Sequence, residues 1–527
     1  MKTIVKRDGR EVPFEKEKVR EAIRKAFFAV DGEISSYAEE KAFTISSYIA
    51  GLEDETLSVE QVQDLVENGL MATRRKDVAK AYIRYRDERS RLRNRDNRVR
   101  QLAKEKLLGH NDEKQNANLD ENSFGGRIGE ATRVLTKSIA LEDIMSKMSR
   151  DNHENNEIYI HDLDSYAVGL HNCLSIPFDD LLANGFTVRQ TDVRPAGSVN
   201  TAFQLVAVIF QIQSLCQFGG VSATHLDWTM VPYVRKSFRK HYIDGLKYIY
   251  NIYDEDLFNH IPENAGIEDG EYMLYEKAYK YAMDMTEREV HQAAEGMFHN
   301  LNTLQSRSGN QLPFSSINYG TCTLPEGRMV TKAILECSIE GMGKLHRTSI
   351  FPCQIFQCMK GVNRAPGDPN YDLFRLALKS TSLRLYPNYA NVDWSGNAGY
   401  DRNDPKTYFS TMGCRTANGY DINGFGQLKD GRGNICPVTI ILPTLAMEEV
   451  QYWKNYPTGE DSPIEDFMDL LNKKIDEAKD MLIERFEWIC SQPATAAQFM
   501  YENNTMAGYI PEEGIRSALK HGTLALG

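Results

Sequence analysis

STMGCRTANGYDINGFGQLKDGRGNICPVTIILP, Ser410–Pro443, is the stretch around which this sequence is organised. Cys414 stands between a glycine and an arginine at the head of a segment rich in Gly, Asn and Asp. Such residues let the backbone bend sharply, so the thiol is expected on a projecting loop. The β-branched run that follows, Ile435–Leu442, predicts a strand buried on both faces. A lone cysteine is commonly just a small buried residue, so a reactive thiol and a core residue both stay open here.

The composition is that of a globular chain with at least two domains. At 527 residues it exceeds what one hydrophobic core usually supports. A formal net charge of −12 argues against nucleic acid bound along a basic surface. Nine cysteines without a C-x-x-C pair indicate neither a disulfide framework nor a standard zinc site, and they fit a reducing, cytoplasmic setting. The longest apolar run, Leu205–Phe210, is too short to cross a bilayer, so no membrane association is expected.

The N-terminal segment predicts a hairpin followed by short helices. Residues 3–12 alternate apolar and polar around Asp8-Gly9, a strong hairpin signal. Ser58 followed by Gln61 predicts a capping box at a later helix start. Lys6, Arg7 and Lys18 are candidates to bind a triphosphate, although basic residues beside a turn are also typical of a solvated strand edge.

The remainder of the chain predicts an α/β core. Strand-like and helix-like segments alternate from Gln311 to Arg384, which favours parallel strands. Lys114–Glu130 is rich in Asn and Gly and is expected to form loops, whereas Arg194–Phe218 predicts a turn and a buried helix. Three amides in that last region, which either line a site or only cap structure, are Asn200, Gln204 and Gln217.

Seven short blocks follow one another in an order that is typical of one family. They are KQNANLDENSFGGRIGE (Lys114–Glu130), YIHDLD (Tyr159–Asp164), LHNC (Leu170–Cys173), RPAGSVNTAFQ (Arg194–Gln204), CQFGG (Cys216–Gly220), MGCR (Met412–Arg415) and GRGN (Gly431–Asn434). Together they resemble the anaerobic, class III ribonucleoside-triphosphate reductases. In front of them, IVKRDGREVPFEKEKVREAI resembles the opening of an ATP-cone, and AKAYIRYRDER resembles its closing helix.

The resemblance implies the fold and its division into domains. Residues 1–94 are expected to form a small α+β ATP-cone. Residues 95–527 are expected to form a ten-stranded α/β barrel of the ribonucleotide reductase and glycyl-radical type, with a finger loop at about 410–435. The chain ends in HGTLALG, an apolar element that has only begun. We therefore expect a barrel truncated at its C-terminus, without the zinc site and the radical glycine of the family.

The resemblance also implies the chemistry, which is reduction of ribonucleoside triphosphates to deoxyribonucleoside triphosphates for DNA synthesis. Cys414 matches the finger-loop cysteine whose thiyl radical takes the C3′ hydrogen, and Cys173 matches the thiol that protonates the leaving 2′-hydroxyl. Asn434 matches the asparagine that hydrogen-bonds substrate or reductant, which favours formate. Cys436, in place of a commoner glycine, leaves a thioredoxin-type reductant open.

Effectors and partners follow from the same resemblance. ATP and dATP are expected as allosteric effectors in the cone, at Lys6, Arg7 and Lys18. A radical-SAM iron–sulfur activase and a homodimer are expected as partners, and this chain alone is expected to be inactive. Two alternatives remain: a cone-bearing regulator without turnover, which usually has a zinc ribbon, and another glycyl-radical enzyme, which usually has adjacent cysteines on its loop.

Overall fold

The chain forms two compact units, Met1–Leu102 and Ala103–Gly527. The computed structural model describes residues 2–6, 10–109, 121–189, 191–307, 310–413, 416–455 and 463–527, with the backbone alone at residue 88 and at residues 90–97. Within those ranges, every helix is too short or too polar to span a bilayer.

The first unit combines a three-stranded sheet with helices. Its strands are β1 (Thr3–Val5), β2 (Glu11–Pro13) and β3 (Thr56–Ser58). They lie in the order β2-β1-β3, with β2 antiparallel and β3 parallel to β1. The helices are α1 (Lys16–Asp31), α2 (Ser36–Gly51), α3 (Val59–Ala72) and α4 (Lys76–Leu108), the last of which continues past residue 102.

The predicted hairpin and capping box are both confirmed. Ile4 pairs with Val12 across the hairpin, whose turn at residues 7–9 lies outside the described residues. At the start of α3, Ser58 Oγ accepts from Gln61 N at 3.1 Å and Gln61 Oε1 accepts from Ser58 N at 2.7 Å. These bonds satisfy backbone groups that a helix N-terminus otherwise leaves without partners.

The second unit is built on one large sheet covered by helices. Its strands are β4 (Ile158–Ile160), β5 (Cys173–Ser175), β6 (Phe186–Val188), β7 (Thr191–Val193), β8 (Val221–Ala223), β9 (Ser315–Tyr319), β10 (Cys353–Cys358), β11 (Asn388–Asn391), β12 (Arg432–Ile440) and β13 (Thr523–Leu526). Its helices are α5 (Phe124–Ile139), α6 (Lys147–Glu154), α7 (Phe178–Asn184), α8 (Val199–Gln213), α9 (Leu226–Thr229), α10 (Val231–Tyr250), α11 (Glu255–His260), α12 (Glu276–Thr303), α13 (Pro325–Glu340), α14 (Tyr371–Arg384), α15 (Leu442–Asn455), α16 (Pro463–Cys490), α17 (Gln498–Glu502) and α18 (Arg516–Leu519).

The large sheet confirms the predicted α/β core with parallel strands. Its order is β11-β10-β9-β8-β5-β12-β13, with β4 paired to β12. The five strands from β11 to β5 are parallel, whereas β12 runs antiparallel to β5. Every residue of β9 is buried, as expected for a parallel strand covered on both faces. Eight strands of this sheet lie in the described residues, so the predicted number of ten is not reached there.

Two segments differ from their predicted structure. The block Lys114–Glu130 was expected to be loop, but α5 begins at Phe124, where the Ser123 side chain caps it by accepting from Gly126 N. Apolar residues at helical spacing and this cap outweigh the cost of its glycines, about 1 kcal/mol each. The helix predicted within Arg194–Phe218 is real but shorter, because it begins after the Ser198 cap and ends at Gln213.

Candidate active site

Cys173 and Asn434 lie directly opposite each other on neighbouring strands. Cys173 begins β5, and Asn434 lies near the start of β12, which begins earlier than the predicted Ile435. The strands are antiparallel and these two residues are in register. Directly opposed residues of an antiparallel pair project to the same face, so the thiol and the carboxamide are neighbours. Their exposed fractions are 8% and 1%.

The Cys173 thiol is held by two polar contacts. It donates to Asn172 Oδ1 at 3.4 Å and accepts from Gly220 N at 3.2 Å. Gln217 Nε2 donates to the carbonyls of Asn172, at 2.8 Å, and Gly220, at 2.7 Å, so it fixes the segments on both sides of the sulfur. A glycine is required at Gly219, because a Cβ there would lie 1.8 Å from Asn172 Oδ1. Of the three amides singled out in the sequence, Gln217 is at the site, whereas Asn200 and Gln204 are exposed.

The carboxamide of Asn434 is buried without a hydrogen-bond partner. Neither its Nδ2 nor its Oδ1 has a partner among the described residues. Burying an unpaired amide costs about 1–3 kcal/mol, so native structures rarely keep one unless it serves a ligand. Asn434 therefore offers a donor and an acceptor, side by side and uncharged, to a small molecule next to the Cys173 thiol.

The loop that precedes β12 is tied to the sheet by side chains. Asn318 accepts from Thr411 N and donates to Thr411 O, both at 3.0 Å. Ser222 Oγ donates to the same carbonyl at 2.9 Å. Ser316 Oγ accepts from Gly413 N at 3.2 Å. The loop is thus fixed through consecutive backbone groups up to Gly413.

Gly413 brings the loop against Cys173. Its φ of +55° is a conformation that favours glycine, and a Cβ built there would lie 3.9 Å from Cys173 Sγ and 3.0 Å from the Phe314 ring. A Cβ at Gly220 would lie 3.1 Å from the Gly413 Cα, so both glycines are needed for this approach. Cys414 and Arg415 lie outside the described residues. The position of the Cys414 thiol stays a prediction, while the residue before it is placed beside Cys173.

A cavity of about 870 Å³ lies beside the Cys173 segment. Gln217 and Phe218 line it, as does Arg307, which donates to Gln311 Oε1 at 2.8 Å and to the Phe218 carbonyl. Burial raises the pKa of Asp162 there, and Arg307 opposes that rise. Other charged residues of its lining are Lys106, Glu130, Arg133, Lys137 and Asp164. The cavity has room for a nucleotide and side chains of both charges around it.

Sequence analysis missed the side chains that hold the loop, namely Ser222, Ser316, Asn318 and Gln357, all of them fully buried. The signal was present in Ser316 and Asn318. They lie two residues apart and therefore on one face of β9, with Ile317 and Tyr319 on the opposite face. Polar residues at a two-residue period in a buried strand indicate a partner on that face.

Cys436 is not part of the site, although it follows Asn434 by two residues. The register of β12 against β13 shifts between these residues. Cys436 Sγ donates to Leu482 O of α16 at 3.6 Å, and burial raises the pKa of the Cys436 thiol to about 12. The thiol is therefore a protonated core residue on the side that α16 covers.

The candidates in the first unit surround a cavity of about 200 Å³. Lys6 and Lys18 line it together with Glu15, whose Oε1 accepts from Lys18 Nζ at 2.7 Å. Arg7 lies outside the described residues. A neighbouring cavity of about 910 Å³ shares Lys18, Glu15 and Tyr82 with the first, so the two form one cleft. Further basic and aromatic side chains line it: Lys25, Tyr85, Arg86 and Arg89.

Two family models match the sequence. The model for anaerobic ribonucleoside-triphosphate reductase matches residues 115–527, which include Cys173, Cys414 and Asn434. The model for the ATP cone domain matches residues 2–91, which include Lys6, Arg7 and Lys18. The two matches are consecutive along the chain.

Individual relatives agree with the family models. The chain is 28% identical over 529 aligned residues to the anaerobic ribonucleoside-triphosphate reductase of Haemophilus influenzae, with 99% of this chain and 68% of that protein covered. It is 29% identical over 459 residues to the enzyme of the same name from Escherichia coli, with 86% of this chain and 60% of that protein covered. The chain thus spans about two thirds of the length of these curated relatives.

A solved structure shares the fold. The anaerobic ribonucleotide reductase from Thermotoga maritima, crystallised with dATP and CTP, superposes with a TM-score of 0.51 and 14% identity over 77% of this chain and 59% of that one. At this identity the match concerns the fold alone. It places the large sheet and its helices among the folds of the ribonucleotide reductase type.

Proposed function

Because the chain belongs to the anaerobic ribonucleoside-triphosphate reductase family, we propose that it carries the substrate-reducing site of such an enzyme. The reaction is reduction of a ribonucleoside triphosphate to the deoxyribonucleoside triphosphate. One observation carries the proposal. The buried thiol of Cys173 faces the unpartnered amide of Asn434 in register, and the loop residue next to Cys414 packs against that thiol.

Cys414 supplies the hydrogen-abstracting sulfur in this proposal. The ribose C3′–H bond is too strong for an ordinary acid or base, and a thiyl radical on Cys414 can take that hydrogen. The loop is held through Thr411 and Gly413 by buried side chains, so the backbone is fixed up to the residue before Cys414. Fixed positions of reacting atoms contribute much of the rate of such reactions.

Cys173 protonates the departing 2′-hydroxyl. Its thiol hydrogen points to Asn172 Oδ1, and the Gly220 N–H contact fixes the sulfur itself. A group that transfers a proton must lie within hydrogen-bond distance of the leaving oxygen, which the fixed sulfur permits when the ribose lies between it and Cys414.

Formate is the proposed reductant. It is small, planar and negatively charged, and the Asn434 amide can donate to one formate oxygen without adding a second charge. Oxidation of formate to carbon dioxide delivers the two electrons, and the 2′-oxygen leaves as water. A thiol-based reductant would need a second thiol beside Cys173, whereas Cys436 is packed under α16.

The cavity beside Cys173 is the proposed site for the triphosphate. Arg307 makes no ion pair with a carboxylate among the described residues, and Lys137 lies on the same wall. Guanidinium and ammonium groups of this kind match phosphate oxygens. Arg133, in contrast, is engaged by Glu130 at 2.7 Å and Asp164 at 3.2 Å.

The cone is the proposed regulatory unit. Lys6, Arg7 and Lys18 would bind the phosphates of ATP or dATP at the cleft of the first unit, and the difference between the two effectors would set activity. An iron–sulfur activase that uses S-adenosylmethionine would supply the radical, since such chemistry belongs to cofactors. A glycyl radical would store the unpaired electron, and the enzyme would act as a homodimer.

The decisive experiment uses the full-length protein, activated anaerobically and supplied with a ribonucleoside triphosphate and formate. Cys414→Ser should form no deoxyribonucleotide, whereas Cys436→Ser, a change of the same kind in the core, should keep turnover. Retained turnover in Cys414→Ser would overturn the thiyl assignment. Turnover with thioredoxin but none with formate would overturn the choice of reductant.

A further inference from the structure

We infer that Asn318 is a positioning residue for the thiol carried by the loop at Cys414, an inference that rests on the proposed function. Asn318 lies in the middle of β9 and is fully buried. It touches neither Cys173 nor Asn434 through a hydrogen bond. It acts on the loop instead, through the backbone of Thr411.

The contact imitates one rung of a β-ladder. Asn318 Oδ1 accepts from Thr411 N, and Asn318 Nδ2 donates to Thr411 O, both at 3.0 Å. The backbone of β9 is already paired with β8 and with β10, so it has no edge to offer the loop. A side-chain amide is the group that can present the same donor and acceptor from the face of the sheet.

The Asn318 amide is itself fixed from the sheet side. Nδ2 also donates to the Ala223 carbonyl at 2.9 Å and lies 3.2 Å from Ser222 Oγ. Its donors and its acceptor are therefore satisfied only when the loop and β8 are both in place. In a low-dielectric interior, the energy of such a hydrogen-bond network depends strongly on the positions of its members.

The backbone that Asn318 and Ser316 hold ends next to Cys414 in the sequence. Ser316, two residues before Asn318 on the same strand face, accepts from Gly413 N at 3.2 Å. Cys414 follows at once in the sequence. Two β9 side chains therefore hold Thr411 and Gly413, which leads us to expect that they set where Cys414 begins.

The test compares two isosteric changes in buried asparagines of the full-length protein. In Asn318→Asp, a carboxylate replaces a donor to two carbonyl oxygens, those of Ala223 and Thr411. In the control Asn370→Asp, the same change removes a donor to the carbonyls of Gly320 and Cys322, away from the loop. Both asparagines are fully buried. Asn370 Oδ1 also accepts from Arg328 Nη1 at 2.7 Å, so the new carboxylate keeps a cationic partner there and the control measures mainly the loss of the amide donor.

Two measurements report on position. The first is the rate at which diamide oxidises Cys173 and Cys414 to a disulfide, followed by peptide mass spectrometry, a reaction in which diamide takes up the two hydrogens. The second is turnover after activation, with kcat and KM separated and the radical counted by electron paramagnetic resonance. A loss of folded enzyme lowers apparent kcat at unchanged KM, so kcat is expressed per radical, and a fall in that ratio does not follow from a loss of stability alone.

We expect Asn318→Asp to slow disulfide formation by about tenfold or more and to lower kcat by roughly 10²-fold, the effect of about 1 Å of misplacement. KM and the radical content should stay close to those of the unsubstituted protein, and Asn370→Asp should resemble it in every measurement. If Asn318→Asp does not fold, Ser316→Ala removes a single acceptor and should slow the disulfide to a smaller extent.

The inference would be overturned if Asn318→Asp and the unsubstituted protein formed the Cys173–Cys414 disulfide at equal rates. Equal slowing by Asn318→Asp and Asn370→Asp would also overturn it, as would the absence of this disulfide in the unsubstituted protein. The proposed function fails by a different result, which is turnover by Cys414→Ser. The disulfide measurement does not depend on turnover, so the two failures are distinguishable.

Discussion

The two candidate sites of this protein are built in opposite ways. Around Cys173 and Asn434 the polar groups are buried. The Cys173 thiol, Ser316 and Asn318 are held by hydrogen bonds, whereas the Asn434 amide has no partner among the described residues. At the cone cleft the candidate cations are at the surface, where the Lys18 side chain is 71% exposed and pairs with Glu15. One site is held by buried hydrogen bonds before a ligand arrives, whereas the described cations of the other, Lys6 and Lys18, are exposed to solvent.

The difference matches what each site is proposed to do. A radical reaction needs atoms at set distances in a dry interior, which buried hydrogen bonds supply. A sensor needs affinity that is moderate and reversible, and exposed charges screened by salt supply that. Substitutions should therefore abolish activity at the first site and only shift an equilibrium at the second.

The largest expected effect is on catalysis by Cys173→Ala. Loss of the proton donor should reduce turnover by roughly 10²- to 10⁴-fold, the usual contribution of general acid catalysis. Its hydrogen bonds to Asn172 and Gly220 are worth only about 1 kcal/mol each, so folding should be little affected. Anaerobic turnover and denaturant unfolding measure the two effects.

The matched control for that change is Cys358→Ala, at the half-buried end of β10. It removes the same thiol from the same sheet, away from the loop. Comparable losses of turnover in both variants would contradict a special role for Cys173 and would make the buried site no different from the rest of the core.

Asn434→Leu should separate stability from function. The buried amide has no partner among the described residues, so an apolar side chain of similar size should stabilise the fold by about 1–2 kcal/mol while turnover with formate is lost. The control Asn363→Leu should destabilise instead, because that amide donates to Gly320 O at 2.9 Å and Gln357 O at 2.8 Å. An equal decrease in the free energy of unfolding in both variants would contradict the proposal that the Asn434 amide serves a ligand.

The cluster of His225, Asp179 and Asp430, which includes the end of the loop before β12, should make the free energy of unfolding depend on pH. His225 is buried next to Asp179 and Asp430; burial favours neutral imidazole, but the carboxylates outweigh it and raise the pKa of His225 to about 9 from 6.5. Burial raises the pKa of Asp430 to about 6 from 3.8. Both folded-state pKa values are raised, so the contribution of these two groups to stability is present at low pH; it is lost between pH 3.8 and about 6 for Asp430 and between pH 6.5 and about 9 for His225. Asp179 acts in the opposite direction at lower pH, because its burial is outweighed by His225 and Lys406, which lower the pKa of its carboxyl.

His225→Asn tests that dependence. The substitution should remove the contribution that His225 loses between pH 6.5 and about 9, and because His225 also lowers the pKa of Asp430, the decline near pH 6 should move to higher pH. Urea unfolding at several pH values between 5 and about 9.5 measures it. An unchanged slope above pH 7 in the variant would mean that His225 is neutral in the folded protein.

Part of this architecture was predictable because it is local. The Ser58–Gln61 capping box and the alternation around β1 and β2 are signals within a few residues, and both are confirmed. Helix α14, Tyr371–Arg384, lies in the segment where strands and helices were predicted to alternate. Each of these elements is decided by its own side chains.

The site was predictable only in part because its contacts are not local. Nothing near Asn318 in the sequence indicates that it binds Thr411, which lies 93 residues away along the chain. The shift that separates Cys436 from Asn434 depends on pairing with β13. A period-2 pattern identifies which face of a strand is polar, but the segment that contacts that face depends on how distant parts of the chain are arranged.

The smallest expected effect is at the cone, where Lys18→Ala should weaken ATP binding by only about two- to fivefold, as expected for an exposed charge. The unsubstituted protein should lose affinity as salt rises, and the variant should lose less, since one screened contact is gone. Calorimetric titration of the full-length protein with ATP at two salt concentrations measures both, with Lys280→Ala as control, because the Lys280 side chain is likewise 71% exposed and paired with a glutamate, Glu276. A loss of ATP affinity of 10³-fold or more, about 4 kcal/mol, would show that the nucleotide buries the Lys18 ammonium. The contrast between a buried catalytic site and an exposed sensor site would then fail.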